Sequence, residues 1–279
     1  MRMTGHEASS THDAPAIELH RLQVDGHPAT AEEAWNPAVT TYGHFTAMQV
    51  RAGRTRGLDL HLRRLDEATR ELFGIGLDAD LVRRYVRRAL GDDVLDGSVR
   101  VYVFHTEHEP SVMVTVRSPG GPPAGPQRLQ SVRYQRPLAH LKHLGSFVLG
   151  GVDAQTYFRG VARSSGFDDA LLTGPGGVIA EATIANIGFF DGPSLVWPDA
   201  PALAGITMQV LQGELTKRDA AWRVASVRLD DLPAFDGAFL TNARGVWAVS
   251  GIDRVRYAVD GERMAKLDEA YASAPWDDI

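Results

Sequence analysis

The sequence predicts an α+β protein built from two unequal parts, and three observations carry that prediction. Apolar residues recur at helical spacing in Leu58, Leu62, Leu65, Ala68 and Leu72. Val99–Phe104 and Val112–Val116 instead read as a strand pair around a polar loop. Between residues 118 and 127 stand four prolines and three glycines, a composition that continues neither a helix nor a central strand and reads as a linker. Strand and helix signals lie on both sides of it. Residues 15–120 are expected to form a small α/β domain and 128–279 a larger one, with 121–127 as linker and 1–14 as a disordered tail.

The elements follow in order. Ile17–Val24 alternates apolar and polar residues, and Phe45–Val50 is a second strand, turning at Ala52-Gly53. Helices are expected over Leu58–Phe73 and Ala79–Leu90, then the strand pair Val99–Phe104 and Val112–Val116 around the polar loop His105–Pro110. Beyond the linker, Leu129–Tyr134 reads as a strand and Ala154–Ser165 as a helix. Short strands are expected at Asp169–Leu172, Val178–Ala180, Ile187–Phe190 and Leu195–Trp197. Ile206–Arg218 is a helix, Arg223–Val227 and Ala238–Leu240 are strands, and Gly261–Tyr271 is a further helix.

Composition narrows the function. The chain has 279 residues, 44% hydrophobic and 23% charged, enough for a core that needs no staple. It has no cysteine, which removes disulfides and thiolate metal sites. The formal charge of −6 argues against a nucleic-acid surface. No apolar run is long enough to span a bilayer, and the polar start, Met1–Asp13, lacks the apolar stretch of a secretory signal. A cytoplasmic protein is expected. The H-x-x-H of His105 and His108 lies in a polar loop and reads as solvated, so no metal is expected.

Lys142 is one of three lysines beside 26 arginines. Lysine can lose its proton when buried and attack a carbonyl; arginine cannot. Lys217 and Lys266 sit in charged helical stretches, whereas Lys142 sits in the apolar Leu141-Lys142-His143-Leu144. A desolvated, reactive amine belongs in such a setting. Gly205-Ile206-Thr207 opens a helix, where N–H groups suit a phosphate; a plain capped helix is the alternative. Arg64, in His61-Leu62-Arg63-Arg64-Leu65, adjoins the apolar face of its helix and could reach a buried anion, or it lies on a solvated basic face. Glu181, among Ala180, Ala182, Ile184 and Ala185, needs a cationic partner if buried. A pyridinium nitrogen would suit it, and so would one of the many arginines. Thr241-Asn242-Ala243-Arg244-Gly245 offers hydroxyl, amide and backbone donors to an anion, or is an ordinary turn.

In this order, Gly43-His44-Phe45-Thr46, His61-x-x-Arg64-Leu65, Lys142, Glu181 with Asn186, Gly205-Ile206-Thr207 and Thr241–Gly245 resemble the fold-type IV pyridoxal-phosphate enzymes. That group holds the class IV aminotransferases and the aminodeoxychorismate lyases. The resemblance covers about residues 41–252 and implies a small α/β domain beside a larger one with a mixed, barrel-like sheet. It implies pyridoxal 5′-phosphate as cofactor, held on Lys142 as an internal aldimine, with Lys142 then moving the proton between Cα and C4′. Glu181 would face the pyridine nitrogen. Arg64, Gly205, Ile206, Thr207, Thr241 and Asn242 would hold the phosphate, and Asn186 would order the Glu181 loop. It also implies a homodimer. Three departures stand out: a longer stretch between Lys142 and Gly166, containing Gly150-Gly151; Ala182 where glycine is usual; and Phe147 where the branched-chain subgroup carries tyrosine.

The expected activity is an aminotransferase, moving an amino group between an amino acid or amine and a 2-oxo acid. One alternative is a 4-amino-4-deoxychorismate lyase that eliminates pyruvate, which Leu141–Leu144, Ala185–Ile187 and Phe45-Thr46 resemble. The other is a binding protein that keeps the fold without the chemistry. Arg100 is the foremost candidate for a substrate carboxylate, with Tyr42, His44 and Arg244 as further candidates.

Overall fold

The computed structural model describes residues 18–40, 42–105, 109–144, 148–149 and 152–279. Its first half runs β1 (Leu19–Val24), β2 (His27–Pro28), α1 (Ala31–Thr40), β3 (Gly43–Val50), β4 (Arg54–Thr55), α2 (Leu58–Phe73), α3 (Ala79–Leu90), β5 (Gly97–His105) and β6 (Pro110–Arg117). After the linker come β7 (Gln127–Arg133), β8 (Val148–Leu149), β9 (Val152–Asp153), α4 (Ala154–Ser164), β10 (Asp169–Thr173), β11 (Ile179–Ala182), β12 (Asn186–Asp191) and β13 (Ser194–Pro198). The rest is α5 (Ile206–Lys217), β14 (Trp222–Ala225), β15 (Gly237–Asn242), β16 (Gly245–Ile252), β17 (Val255–Arg256), α6 (Gly261–Ser273) and β18 (Asp277–Asp278).

The first half is an antiparallel sheet in the order β2-β1-β6-β5-β3. Strand parity sends Val99, Val101 and Val103 of β5 to one face, where they pack on Leu58, Leu62 and Leu65 of α2 and Val82 and Val86 of α3. The opposite face carries Phe45, Ala47, Arg100 and Tyr102, paired Phe45↔Tyr102 and Ala47↔Arg100. The second half is a nine-stranded mixed sheet, β11-β10-β7-β16-β15-β12-β13-β14 with β17 beside β16. It curls into half a barrel, so the α+β architecture expected from the sequence is the one observed.

Most expected elements are present, with shifted ends. Glu181 lies within β11 rather than after it, and Thr241 and Asn242 close β15 rather than follow it. Helix α1 was not expected. Thr30 and Glu33 form a reciprocal cap at its start, with Glu33 N–H donating to Thr30 Oγ1 and Thr30 N–H to Glu33 Oε2. Residues 277–278 were not expected as a strand, yet β18 pairs with β4 of the first half in a two-stranded sheet of their own. Residues 1–14, His108, Phe147 and Gly150-Gly151 lie outside the described residues.

Candidate active site

Lys142 follows β7 on a segment laid along the open edge of β3. Its carbonyl accepts from Phe45 N–H at 2.9 Å, and His143 bridges His44. The Lys142 ammonium sits 4.7 Å from the centre of the Phe45 ring, which itself stacks on Tyr102 at 5.4 Å. Burial pulls the amine from its usual range down to about 7. Arg64, Arg136 and Arg100 lower it further, and the Glu181 carboxylate alone opposes them. Arg136 from the same segment and three residues distant in sequence therefore converge on one amine.

Arg136 was not singled out from the sequence, and it organises the site. Its Nε donates to Glu181 Oε1 at 3.0 Å, with both side chains buried. The rest of the guanidinium donates to the carbonyls of Leu141 (2.8 Å) and Ala139. The chain turns around it through Leu138, which holds the left-handed φ of 44°. Arg136 thus ties the backbone just before Lys142 to the Glu181 carboxylate. Glu181 Oε2 accepts from Leu203 N–H at 3.2 Å. Burial raises the Glu181 carboxyl above the ordinary range, and Arg136 and the Leu203 N–H oppose that rise. Arg136 supplies one of the two kinds of partner open to Glu181. A carboxylate has about four lone-pair sites, so room for a further donor remains.

The start of α5 forms the other wall. Gly205 is its N-cap and brings no side chain. A Cβ there would fall 1.9 Å from Asn186 Oδ1, so only glycine fits. Asn186 also donates to Leu203 O at 2.6 Å and so fixes the turn into the helix. Arg64 crosses from α2 to donate to Ala204 O. Its proton affinity falls to about 10, through burial first and Arg136 second, so it stays charged at neutral pH. Thr207 Oγ1 donates to Asn242 O at 2.7 Å. Thr241, in register with Asn186, is fully buried and its hydroxyl has no partner. An arginine, the unbonded N–H groups of a helix start and an orphaned hydroxyl together fit a phosphate. A buried amine and a buried carboxylate fit the two ends of a pyridoxal ring system.

Other candidates are placed differently. The Asn242 side chain is spent on its own loop, donating to Ile184 O at 3.1 Å and accepting from Arg244 N–H at 2.8 Å. Arg244 is exposed, and its guanidinium donates to Gly121 O of the linker. Arg100 shares the sheet face of Phe45, and its charge acts on Lys142. His44 does not join it: parity turns His44 to the helix side, where Nε2 meets Thr69 Oγ1 at 2.9 Å. Tyr42 is half exposed and donates to Leu72 O at the far end of α2, roughly 12 Å along the helix from Arg64. Neither His44 nor Tyr42 faces the Lys142 amine of its own chain. His61 was quoted only for its spacing, yet it is buried below the site against Thr46 Oγ1 at 2.6 Å.

Solved structures share this fold. A branched-chain aminotransferase from Thermoproteus uzoniensis superposes with a TM-score of 0.78 at 19% identity, over 91% of this chain and 94% of that one. A hypothetical aminotransferase from Mycobacterium tuberculosis, solved with pyridoxal phosphate bound, gives 0.73 at 22%, over 85% and 91%. A Legionella pneumophila protein provisionally assigned as a 4-amino-4-deoxychorismate lyase gives 0.72 at 21%, over 83% and 90%. Identities this low establish the fold alone. No curated protein matches significantly. The model of the class IV amino-transferase family, whose cofactor is pyridoxal phosphate, matches residues 43–252. With so much of the sequence matched, the chain belongs to the class IV aminotransferases.

Proposed function

We propose that Lys142, Glu181, Arg64 and the start of α5 hold and use pyridoxal phosphate here, and that Arg100 receives the substrate's carboxylate. The substrates are an amino acid or amine and a 2-oxo acid. The observation that carries this reading is the Lys142 amine, brought down to about 7 by burial among three arginines. When bound, the cofactor supplies an electron sink for the bond broken at the substrate Cα. The protein's share is orientation and proton handling. Lys142 is half deprotonated at neutral pH, matched to accept a proton from Cα and return one at C4′. Glu181 keeps the pyridine nitrogen protonated by proximity of opposite charge. Arg64, the Ile206 and Thr207 N–H groups and the Thr241 hydroxyl meet the phosphate. Gly205 supports this by leaving the helix start bare, and Asn186 by holding the turn. Asn242 acts through the loop it braces.

The test is an absorbance spectrum with added pyridoxal phosphate, then borohydride reduction and peptide mapping. A label on Lys142 supports the reading, and a label on Lys217 or Lys266 ends it. Lys142→Ala abolishes turnover while Lys217→Ala and Lys266→Ala retain it. Arg64→Ala weakens cofactor retention by about 2–3 kcal/mol through loss of a charge-assisted contact; an unchanged affinity assigns that role to another residue.

A second reading, pyruvate elimination from aminodeoxychorismate, is favoured by Leu141–Leu144, Ala185–Ile187 and Phe45-Thr46. Release of 4-aminobenzoate with no amino acceptor present would select it. We further propose a homodimer. Tyr42 and Leu138, each about half exposed, flank the end of α2, where His140 meets Glu71 at 2.9 Å. Sedimentation showing an active monomer rejects this.

A further inference from the structure

Helix α2 carries Arg64 and His61 to the site, yet its start has no cap of its own. Its N-cap is Gly57, in the left-handed region at φ 69°, with no side-chain hydrogen bond. The first N–H groups of a helix need partners from outside it. One comes from far along the chain: Leu58 N–H donates to Asp277 Oδ2 at 2.9 Å. A carboxylate is well suited there, because it also faces the positive end of the helix dipole.

Asp277 is held in place by several contacts. Strand β18 pairs with β4 immediately before α2, in the register Asp277↔Thr55 and Asp278↔Arg54. The Arg56 guanidinium lies 4.0 Å over the Trp276 ring and 4.9 Å over the Tyr271 ring. It also donates to the carbonyls of Ala272 and Ala274, at 3.0 and 3.2 Å. Ile279 is buried in the core between the first sheet and its helices, beside Leu58 and Leu62. Arg83 donates to Asp278 O at 3.0 Å.

This strap links the two halves at the phosphate wall. It leaves α6, which packs on α5, and it ends on α2. The turn it secures touches α5 directly: a Cβ on Gly57 would sit 2.9 Å from Val210 Cγ2 and 3.1 Å from Ile206 Cγ2. Two turns further on, Arg64 reaches Ala204 O beside the α5 N-cap. We infer that Asp277 is a positioning residue, whose cap on α2 sets Arg64 against the start of α5 for the cofactor's phosphate. This rests on the proposed role of Arg64, and the experiment separates the two.

Dissociation constants of pyridoxal phosphate and of pyridoxal, which lacks the phosphate, are measured on the full chain by equilibrium dialysis. Wild type, Arg64→Ala, Asp277→Ala, Asp277→Asn and Arg56→Gln are compared, with the unfolding midpoint of each. Loss of a helix cap predicts about fivefold weaker pyridoxal phosphate binding for Asp277→Ala. Pyridoxal binding stays within about twofold, and Asn, which keeps an acceptor oxygen, restores the difference. Arg56→Gln loosens the strap without touching the cap and shows the same phosphate-selective loss; it carries the test if Asp277→Ala does not fold. Equal weakening of both ligands, or none in variants that fold, overturns the inference while Arg64→Ala still loses phosphate selectivity. If Arg64→Ala also binds both ligands unchanged, the Arg64 reading falls and the inference falls with it.

Discussion

Lys142 should titrate near neutrality in the protein without cofactor, and the structure sets the size of the effect. Its amine moves from 10.5 to about 7. At pH 7 that leaves about half of Lys142 as free base, against roughly 3 in 10,000 for an ordinary lysine. The advantage in free amine is about 1,500-fold, or about 4 kcal/mol at 1.36 kcal/mol per factor of ten. Burial is the first cause, and the cations of Arg64 and Arg136 come next, so the variants have definite signs. Arg136→Met removes a cation and leaves Glu181 uncompensated; both changes raise the amine. Glu181→Gln removes the one neighbouring charge that favours the ammonium and leaves the amine at or below the wild-type value. Trace acetylation across pH 5–11 with peptide mass mapping reads each lysine separately. Lys142 should inflect near 7, whereas Lys266 is raised by its bond to Glu262 and stays above the ordinary value. An inflection for Lys142 above 9 refutes the reasoning, because the buried arginine cluster is then not acting on it.

Burial holds His61 at about 3 and His44 at about 4, against 6.5 when unfolded. The unfolded chain therefore binds more protons between those values, so stability is full above pH 6.5 and falls as pH drops towards 3. Urea midpoints should show this slope, and His61→Leu should flatten it; an unchanged slope assigns the acid sensitivity elsewhere. Gly205→Ala forces a Cβ into Asn186 Oδ1 and should cost about 1–3 kcal/mol of cofactor affinity by overpacking. Adding Asn186→Ala should recover part of it, measured by the same titration. Arg136→Met strands a buried carboxylate and should destabilise the fold by about 3–5 kcal/mol, whereas Arg136→Met with Glu181→Met should recover most of the loss. Thermal unfolding of Arg136→Met, Glu181→Met and the double variant decides whether the pair couples.

The residues legible in the sequence were those whose chemistry is out of keeping with their surroundings. An amine in an apolar stretch, a carboxylate among alanines and a bare glycine before a helix each betray a burial that must be compensated. Local periodicity likewise reached α2, α3, α5 and most strands. What it did not reach is the set of long-range partners. Arg136 stands before Pro137 in a stretch with no period, and nothing there says that its guanidinium turns back to Ala139 and Leu141 and across to Glu181. Asp277 lies 219 residues from the helix it caps. The orientation of His44 is of another kind, because parity could have supplied it. If Phe45 and Arg100 share a face, the residue beside Phe45 faces the other way, towards α2. The division follows from the physics of the site. The groups proposed to meet cofactor and substrate are conspicuous because they are buried with pairing capacity to spare, as the Thr241 hydroxyl still is. Their supports are fully paired, and pairing makes them ordinary in sequence. Arg136 and Asp277 belong to the second class, yet without them neither Lys142 nor Arg64 has a fixed address.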